Sequence, residues 1–104
     1  MQRFPPRRIL AAVDLSAPSL RAWRAARKIA ERFGASLEAV YCDDPPPSDL
    51  AVYDSPSILA AMRKRVMDAL RRRLGPQERL HAVRGEPSRV LLRLVRDGGF
   101  DLLV

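Results

Sequence analysis

The chain has 104 residues, with 19 Lys and Arg against 12 Asp and Glu for a formal charge of +7. That length supports one domain with a single core, since roughly 60–70% of the unfolded surface is buried at this size. One cysteine, Cys42, excludes an internal disulfide framework, and no cluster of Cys and His offers a zinc site. The longest apolar runs, such as Ile9 to Val13, fall far below the ~20 residues that span a bilayer. The arginine-containing N-terminus lacks the apolar region of a secretory signal, so a soluble cytoplasmic domain with no membrane partner is expected.

The chain order begins with Ile9-Leu10-Ala11-Ala12-Val13, a continuous apolar run with a β-branched residue at each end. Continuous rather than alternating apolarity predicts a strand covered on both faces. Leu20, Trp23, Ala26, Ile29, Ala30 and Phe33 then recur at three-and-four spacing, the stripe of an amphipathic helix with Trp23 in the core. Ser16 suits its N-cap, Pro18 its first turn and Gly34 its stop. Leu37 to Cys42 reads as a second strand running into the loop Asp43-Asp44-Pro45-Pro46-Pro47, where three prolines cannot continue a central strand.

A second helix is predicted to start at Ser55-Pro56, to present Ile58, Met62, Val66, Leu70 and Leu74 on one face, and to stop at Gly75-Pro76. Arg71, Arg72 and Arg73 fall in its last turn, where cations oppose the helix dipole. Leu80 to Val83 makes a third strand, and Gly85-Glu86-Pro87 opens a third helix with Val90, Leu91, Leu94 and Val95 on one face until Gly98-Gly99. Phe100 to Val104 begins a fourth strand. Strict βαβαβαβ alternation with helical crossovers predicts a three-layer α/β fold, a parallel open sheet with helices on both faces.

The charge consists of 17 Arg and 2 Lys. A nucleic-acid footprint clusters its positive charge on one face, preferably with stacking aromatics between. Here Arg21, Arg24, Arg27, Lys28 and Arg32 lie on one helical segment and Arg63, Lys64, Arg65 and Arg71 to Arg73 on another. Dispersed in this way, the arginines read as solvated helix faces, and nucleic acid is not the expected partner.

In open α/β sheets, ligands bind outside the carboxyl ends of the strands. That restricts the candidates to Asp14 and Ser16, Val40 to Cys42, Val83 to Gly85, and the residues after Val104. Asp14 leads, because an acid directly after a buried strand can accept hydrogen bonds from an adenine amino group or a ribose hydroxyl, or hold a metal through water. It can equally do no more than tie the loop to nearby amides, and position alone does not separate these roles. Neither a Gly-x-Gly-x-x-Gly turn nor a Walker-type loop follows the first strand. His81, the single histidine, has no partner Cys, Ser or second His and reads as structural. Cys42 stands beside Asp43 and Asp44, which should raise its thiol pKa and leave it inert. A receiver domain of a response regulator needs an acidic pair at the first strand and an aspartate closing the third; one acid and Arg84 stand there instead.

Ile-Leu-Ala-Ala-Val-Asp-Leu-Ser at 9 to 16, followed by a helix ending Ala-Glu-Arg-Phe-Gly-Ala at 30 to 35, resembles the opening of the universal stress protein family. Val83-x-Gly85-x-Pro87 is similar to the turn from that family's third strand into its third helix, and Asp101 to Val104 to its fourth strand. The resemblance covers the chain in order and implies an adenine-nucleotide-hydrolase-like, Rossmann-like fold of strand order 3-2-1-4-5. It also implies a nucleotide crevice between the first and fourth strands, in which Asp14 and the Val40 to Tyr41 backbone contact the adenosine end, with Ala12, Val13, Ser16 and Gly85 lining the site. The family's phosphate loop, Gly-x2-Gly-x9-Gly-Ser/Thr, follows the fourth strand. Residues 1–104 are accordingly expected to be one domain without that loop, the fourth helix or the fifth strand.

The functional expectation is a non-enzymatic, dimeric stress-response module with an ATP or AMP crevice, weak here for want of the phosphate loop, and with magnesium accompanying ATP. The alternative is a protein-interaction module of the same fold that binds no nucleotide. A basic nucleic-acid-binding domain ranks third.

Overall fold

The computed structural model describes residues 5–44 and 56–104. The proline loop at 45–47 and the Ser55 cap expected for the second helix lie outside the described residues. The elements in chain order are β1 (Arg8–Ala12), α1 (Ala17–Phe33), β2 (Ser36–Asp43), α2 (Pro56–Leu74), β3 (Arg79–Arg84), α3 (Pro87–Gly98) and β4 (Leu102–Leu103). All strand pairs are parallel and the sheet order is β3-β2-β1-β4. The predicted α/β architecture and the order 3-2-1-4 are therefore observed.

The topology follows from handedness. Right-handed crossovers from β1 to β2 and on to β3 progress in one direction, so α1 and α2 share a face of the sheet. The return from β3 to β4 reverses that direction and carries α3 across the opposite face. Ile9, Ala11 and Val13 accordingly pack with Leu20, Trp23, Ala26 and Ala30 of α1 and with Leu70 and Leu74 of α2. Leu10 and Val40 point the other way, where Leu94 of α3 faces them. Trp23 is a core residue, as its spacing predicts.

The helix ends obey local chemistry. Ser16 accepts a 3.2 Å hydrogen bond from the Ser19 amide, and Gly34, at φ 63°, donates its N–H to the Ala30 carbonyl. The cap of α3 is Glu86, whose carboxylate accepts from the Ser88 and Arg89 amides at 3.0 and 3.2 Å. An acid at that position also suits the positive end of the helix dipole.

Two elements depart from the sequence expectation. The stripe predicted on α2 is buried only at its C-terminal end. Leu70 and Leu74 are in the core with Met67, Val66 is half-buried, and Ile58 and Met62 are 41% and 42% exposed. A strict four-residue spacing advances about 40° around the helix at each step, so a row that starts at Ile58 has wound most of the way to the other side by Leu74. The fourth strand is also shorter than predicted. Asp101 does not extend it but anchors its entry, with Oδ2 accepting from the Arg7 and Arg8 amides at 2.8 and 3.0 Å.

Leu70 is fully buried where α2 meets the sheet. Leu70→Ala should therefore cost about 2–5 kcal/mol, read as a lower urea midpoint with an unchanged slope.

Candidate functional site

The carboxyl ends of β1 and β2 open into a crevice of about 370 Å³, lined by Ala12, Val13, Asp14, Ser19, Val40, Tyr41, Cys42 and Pro87. Of the residues predicted for the site, Ala12, Val13, Asp14, Val40 and Tyr41 meet there; no β4 residue lines this cavity, which lies at the ends of β1 and β2 and not between the first and fourth strands as expected. Ser16 and Gly85 do not line it; both act on the backbone around it. Ser16 caps α1. Gly85, at φ +140°, turns the chain from β3 into α3 and donates its N–H to the Asp43 carbonyl at 3.1 Å. A Cβ at Gly85 would lie 2.9 Å from Val90 Cγ2, so both the space and the backbone conformation require glycine.

Asp14 is exposed at the rim. Its Oδ1 accepts from the Ser16 amide at 2.7 Å, and its own N–H donates to Ser19 Oγ at 2.7 Å. One oxygen thus performs the loop-tying role, while Oδ2 accepts no hydrogen bond from the described residues. Ser19 escaped the sequence reading, although its place one turn after Asp14 at a capped helix start was a usable signal. The Val40 carbonyl accepts the Val13 amide at 2.9 Å, which locks the two strand ends together and leaves that oxygen one lone pair.

Burial pushes the Tyr41 phenol up from its ordinary value, and the carboxylates of Asp43 and Asp14 push in the same direction. Cys42 is raised likewise, first by burial and then by Glu86 and Asp44. The direction agrees with the sequence expectation; burial, which spacing could not reveal, is the main cause. Among the described residues, neither Lys nor Arg lines the crevice.

A second cluster lies on the α3 face. Glu38, with a side chain only 14% exposed, receives Arg8 Nη2 at 3.1 Å and His81 Nε2 at 2.9 Å. The Arg8 guanidinium also donates to the Gly98 carbonyl and sits 4.4 Å above the centroid of the Phe100 ring. These residues border a cavity of about 390 Å³ with Leu10, Val40 and Leu94. Burial raises the Glu38 carboxyl, but the hydrogen bonds and charges of His81 and Arg8 outweigh it and hold the group below its ordinary value. His81 thus has a cross-strand hydrogen-bond partner in Glu38, a contact made by the register of β2 on β3. Among the described residues no group of His, Cys, Asp and Glu is placed to hold a metal ion, and no helix is long and apolar enough to cross a membrane.

The model of the universal stress protein family matches residues 5–104. The chain belongs to the universal stress protein family. Among solved structures, it resembles the universal stress protein UspA from Lactobacillus plantarum, with 26% identity and a TM-score of 0.75, covering 94% of this chain and 74% of that one. A universal stress protein solved in complex with cAMP is 23% identical at a TM-score of 0.59, over 94% of this chain and 70% of that one. Protein Rv1636 from Mycobacterium tuberculosis H37Rv is 18% identical at a TM-score of 0.57, over 94% and 68%. These last two likenesses are likenesses of fold. No curated protein matches the sequence significantly.

Two measurements check the electrostatics of this universal stress protein. Because folded Glu38 titrates below its unfolded value of 4.5, its contribution is complete above that pH and is lost as pH falls through the lower folded value. Glu38→Gln should cost about 0.5–1.5 kcal/mol at neutral pH and flatten the acid limb of a stability-against-pH curve. Cys42 should react with iodoacetamide more slowly in the native protein at neutral pH than in urea, where burial and the neighbouring carboxylates no longer suppress the thiolate.

Proposed function

We propose that the crevice binds an adenine nucleotide and that this protein uses it as a conformational ligand in a stress response, without turning it over. The observation that carries this reading is the convergence of Ala12, Val13, Asp14, Val40 and Tyr41 on one cavity at the carboxyl ends of β1 and β2. Open parallel sheets take their ligands outside the carboxyl ends of their strands, and this cavity opens there on the β2 side of the β1–β4 switch point. A volume of about 370 Å³ lies within the range of small-molecule sites. Asp14 Oδ2 supplies the acceptor for an adenine amino group or a ribose hydroxyl. The cAMP complex of a universal stress protein with the same fold supports the adenine class.

Affinity in this site comes from the nucleoside end. With Asp14 at the rim, no basic side chain in the lining and the start of α3 filled by the Glu86 carboxylate, the described crevice offers phosphates little attraction. Magnesium would enter only in company with the phosphates of ATP. Catalysis is not part of the reading: Tyr41 and Cys42 are both pushed toward their protonated forms and make poor nucleophiles or bases at neutral pH. We place the protein in the cytoplasm, where the lone thiol of Cys42 stays reduced.

A second reading, an interaction module that works as a homodimer without nucleotide, has its own observation. Leu91, Leu92, Val95, Leu102 and Leu103 line an apolar groove of about 520 Å³ between α3 and β4, with Leu92 73% exposed.

Calorimetric titration separates the two readings. Adenosine, AMP and ATP should bind weakly and with similar affinity, and Asp14→Ala should weaken each roughly tenfold or more, the worth of a charge-assisted hydrogen bond. Absence of binding by all three, together with a dimer in sedimentation equilibrium, would favour the interaction module. Equal binding by the Asp14→Ala variant would overturn the role given to that carboxylate.

A further inference from the structure

Sequence alone spreads the basic residues over two segments, but the tertiary structure lays those segments side by side. Helices α1 and α2 occupy the same face of the sheet and contact each other. Together they carry eleven basic and two acidic side chains, a net of +9 against +7 for the whole chain. All of the positive excess of the molecule therefore resides in this one layer, and the remainder is slightly acidic.

On α1, Arg21, Arg24, Lys28 and Arg32 fall within an arc of about 80° at 100° per residue, opposite the buried stripe of Leu20, Trp23, Ala26 and Ala30. All four are exposed and none makes an ion pair with the described residues. On α2, Arg65, Arg71, Arg72 and Arg73 are likewise exposed and unpaired among the described residues. Helix dipoles account for the cations in the last turns, Arg71 to Arg73 on α2 and Arg32 on α1, but not for Arg21, Arg24 and Lys28.

We propose that this α1–α2 face is a docking surface for the phosphate backbone of a double-stranded nucleic acid. Arg21, Arg24, Lys28 and Arg32 line the outer side of α1, and Arg65 and Arg72 lie on the outer side of α2 with Arg71 and Arg73 flanking them, so the joint face presents a spread of cations to the regularly spaced charges of a phosphate backbone. Arginine, which dominates both rows, engages phosphate through two parallel N–H donors. The α1 row contains no large apolar side chain, which a helix lying in a lipid interface requires. It also lacks the stacking aromatics of a single-strand platform: Trp23 is buried, and Phe33 lies at the helix end outside the arc. Contacts made only to phosphate position the duplex without reading its sequence.

The test is fluorescence anisotropy of the full chain with a labelled duplex of arbitrary sequence, about 30 base pairs long, between about 50 and 200 mM salt. Binding should be measurable at the low-salt end and fall by orders of magnitude at the high end. The variant R21Q/R24Q/K28Q/R32Q, with its fold checked by circular dichroism, should make the slope of log K against log salt shallower by up to about 3–4, at about 0.9 per phosphate contact. R71Q/R72Q/R73Q should act in the same direction from α2. The proposal is overturned by no binding at low salt, by a slope that neither variant changes, or by binding to phosphatidylserine vesicles with none to the duplex.

Discussion

The structure depends on β1. Its residues Ile9, Leu10 and Ala11 are buried on both faces and hydrogen-bonded on both edges, to β2 and to β4. A strand in that position has no face left for water, so every other element is placed by what it must do for β1. Helices α1 and α2 cover Ile9, Ala11 and Val13, while α3 covers Leu10. Asp101 fastens the start of β1 through the Arg7 and Arg8 amides, and the Val13 amide fastens its end to the Val40 carbonyl. The strand thus enters and leaves the sheet at determined points, and its exit delivers Asp14 to the rim of the crevice.

The distribution of charge follows from the same layering. The side chains of β1 from Ile9 onward must be apolar, and the helix stripes that meet them must be apolar too, so ionic groups are driven to the outer helix faces and the sheet rims. The rim at the carboxyl ends is acidic, with Asp14, Asp43 and Glu86 around the half-buried Tyr41 and Cys42. The outer α1–α2 face is basic. At the rim the protein also satisfies its own helix starts, Ser16 on α1 and Glu86 on α3, so the amides often used for anions are already engaged. The crevice is left with the Asp14 carboxylate at its rim and Ala12, Val13, Val40, Tyr41 and Pro87 in its walls.

Much of this was legible in local patterns. The continuous apolar run at Ile9 to Val13 announced a doubly covered strand, Ser16, Pro18 and Gly34 bracketed α1, and the Val-Asp-x-Ser and Val-x-Gly-x-Pro segments carried the family. Asp14, Val40 and Tyr41 could be named because strand ends are where open sheets present ligands. Ser19 was missed because it lies inside the helix by sequence, and reaches the crevice only because α1 starts at its mouth. Ser16 and Gly85 were close to the site in sequence but proved to be backbone devices beside it.

The sequence by itself determined the alternation of strand and helix, their caps, the parallel sheet and the strand end that bears Asp14. The elements and their caps rest on interactions between residues a few positions apart, whose spacing is visible in one dimension, and the parallel sheet follows from their strict alternation. Only the tertiary structure decided what depends on register and winding. The docking of α2 on the sheet buries Met67 and leaves Met62 exposed. The pairing of Glu38 with both Arg8 and His81 required β1, β2 and β3 in register, which no local pattern encodes. The arginines separate in the same way. Their number is a property of the chain, but their union on one face is a property of right-handed crossovers, which bring helices distant in sequence onto the same side of the sheet.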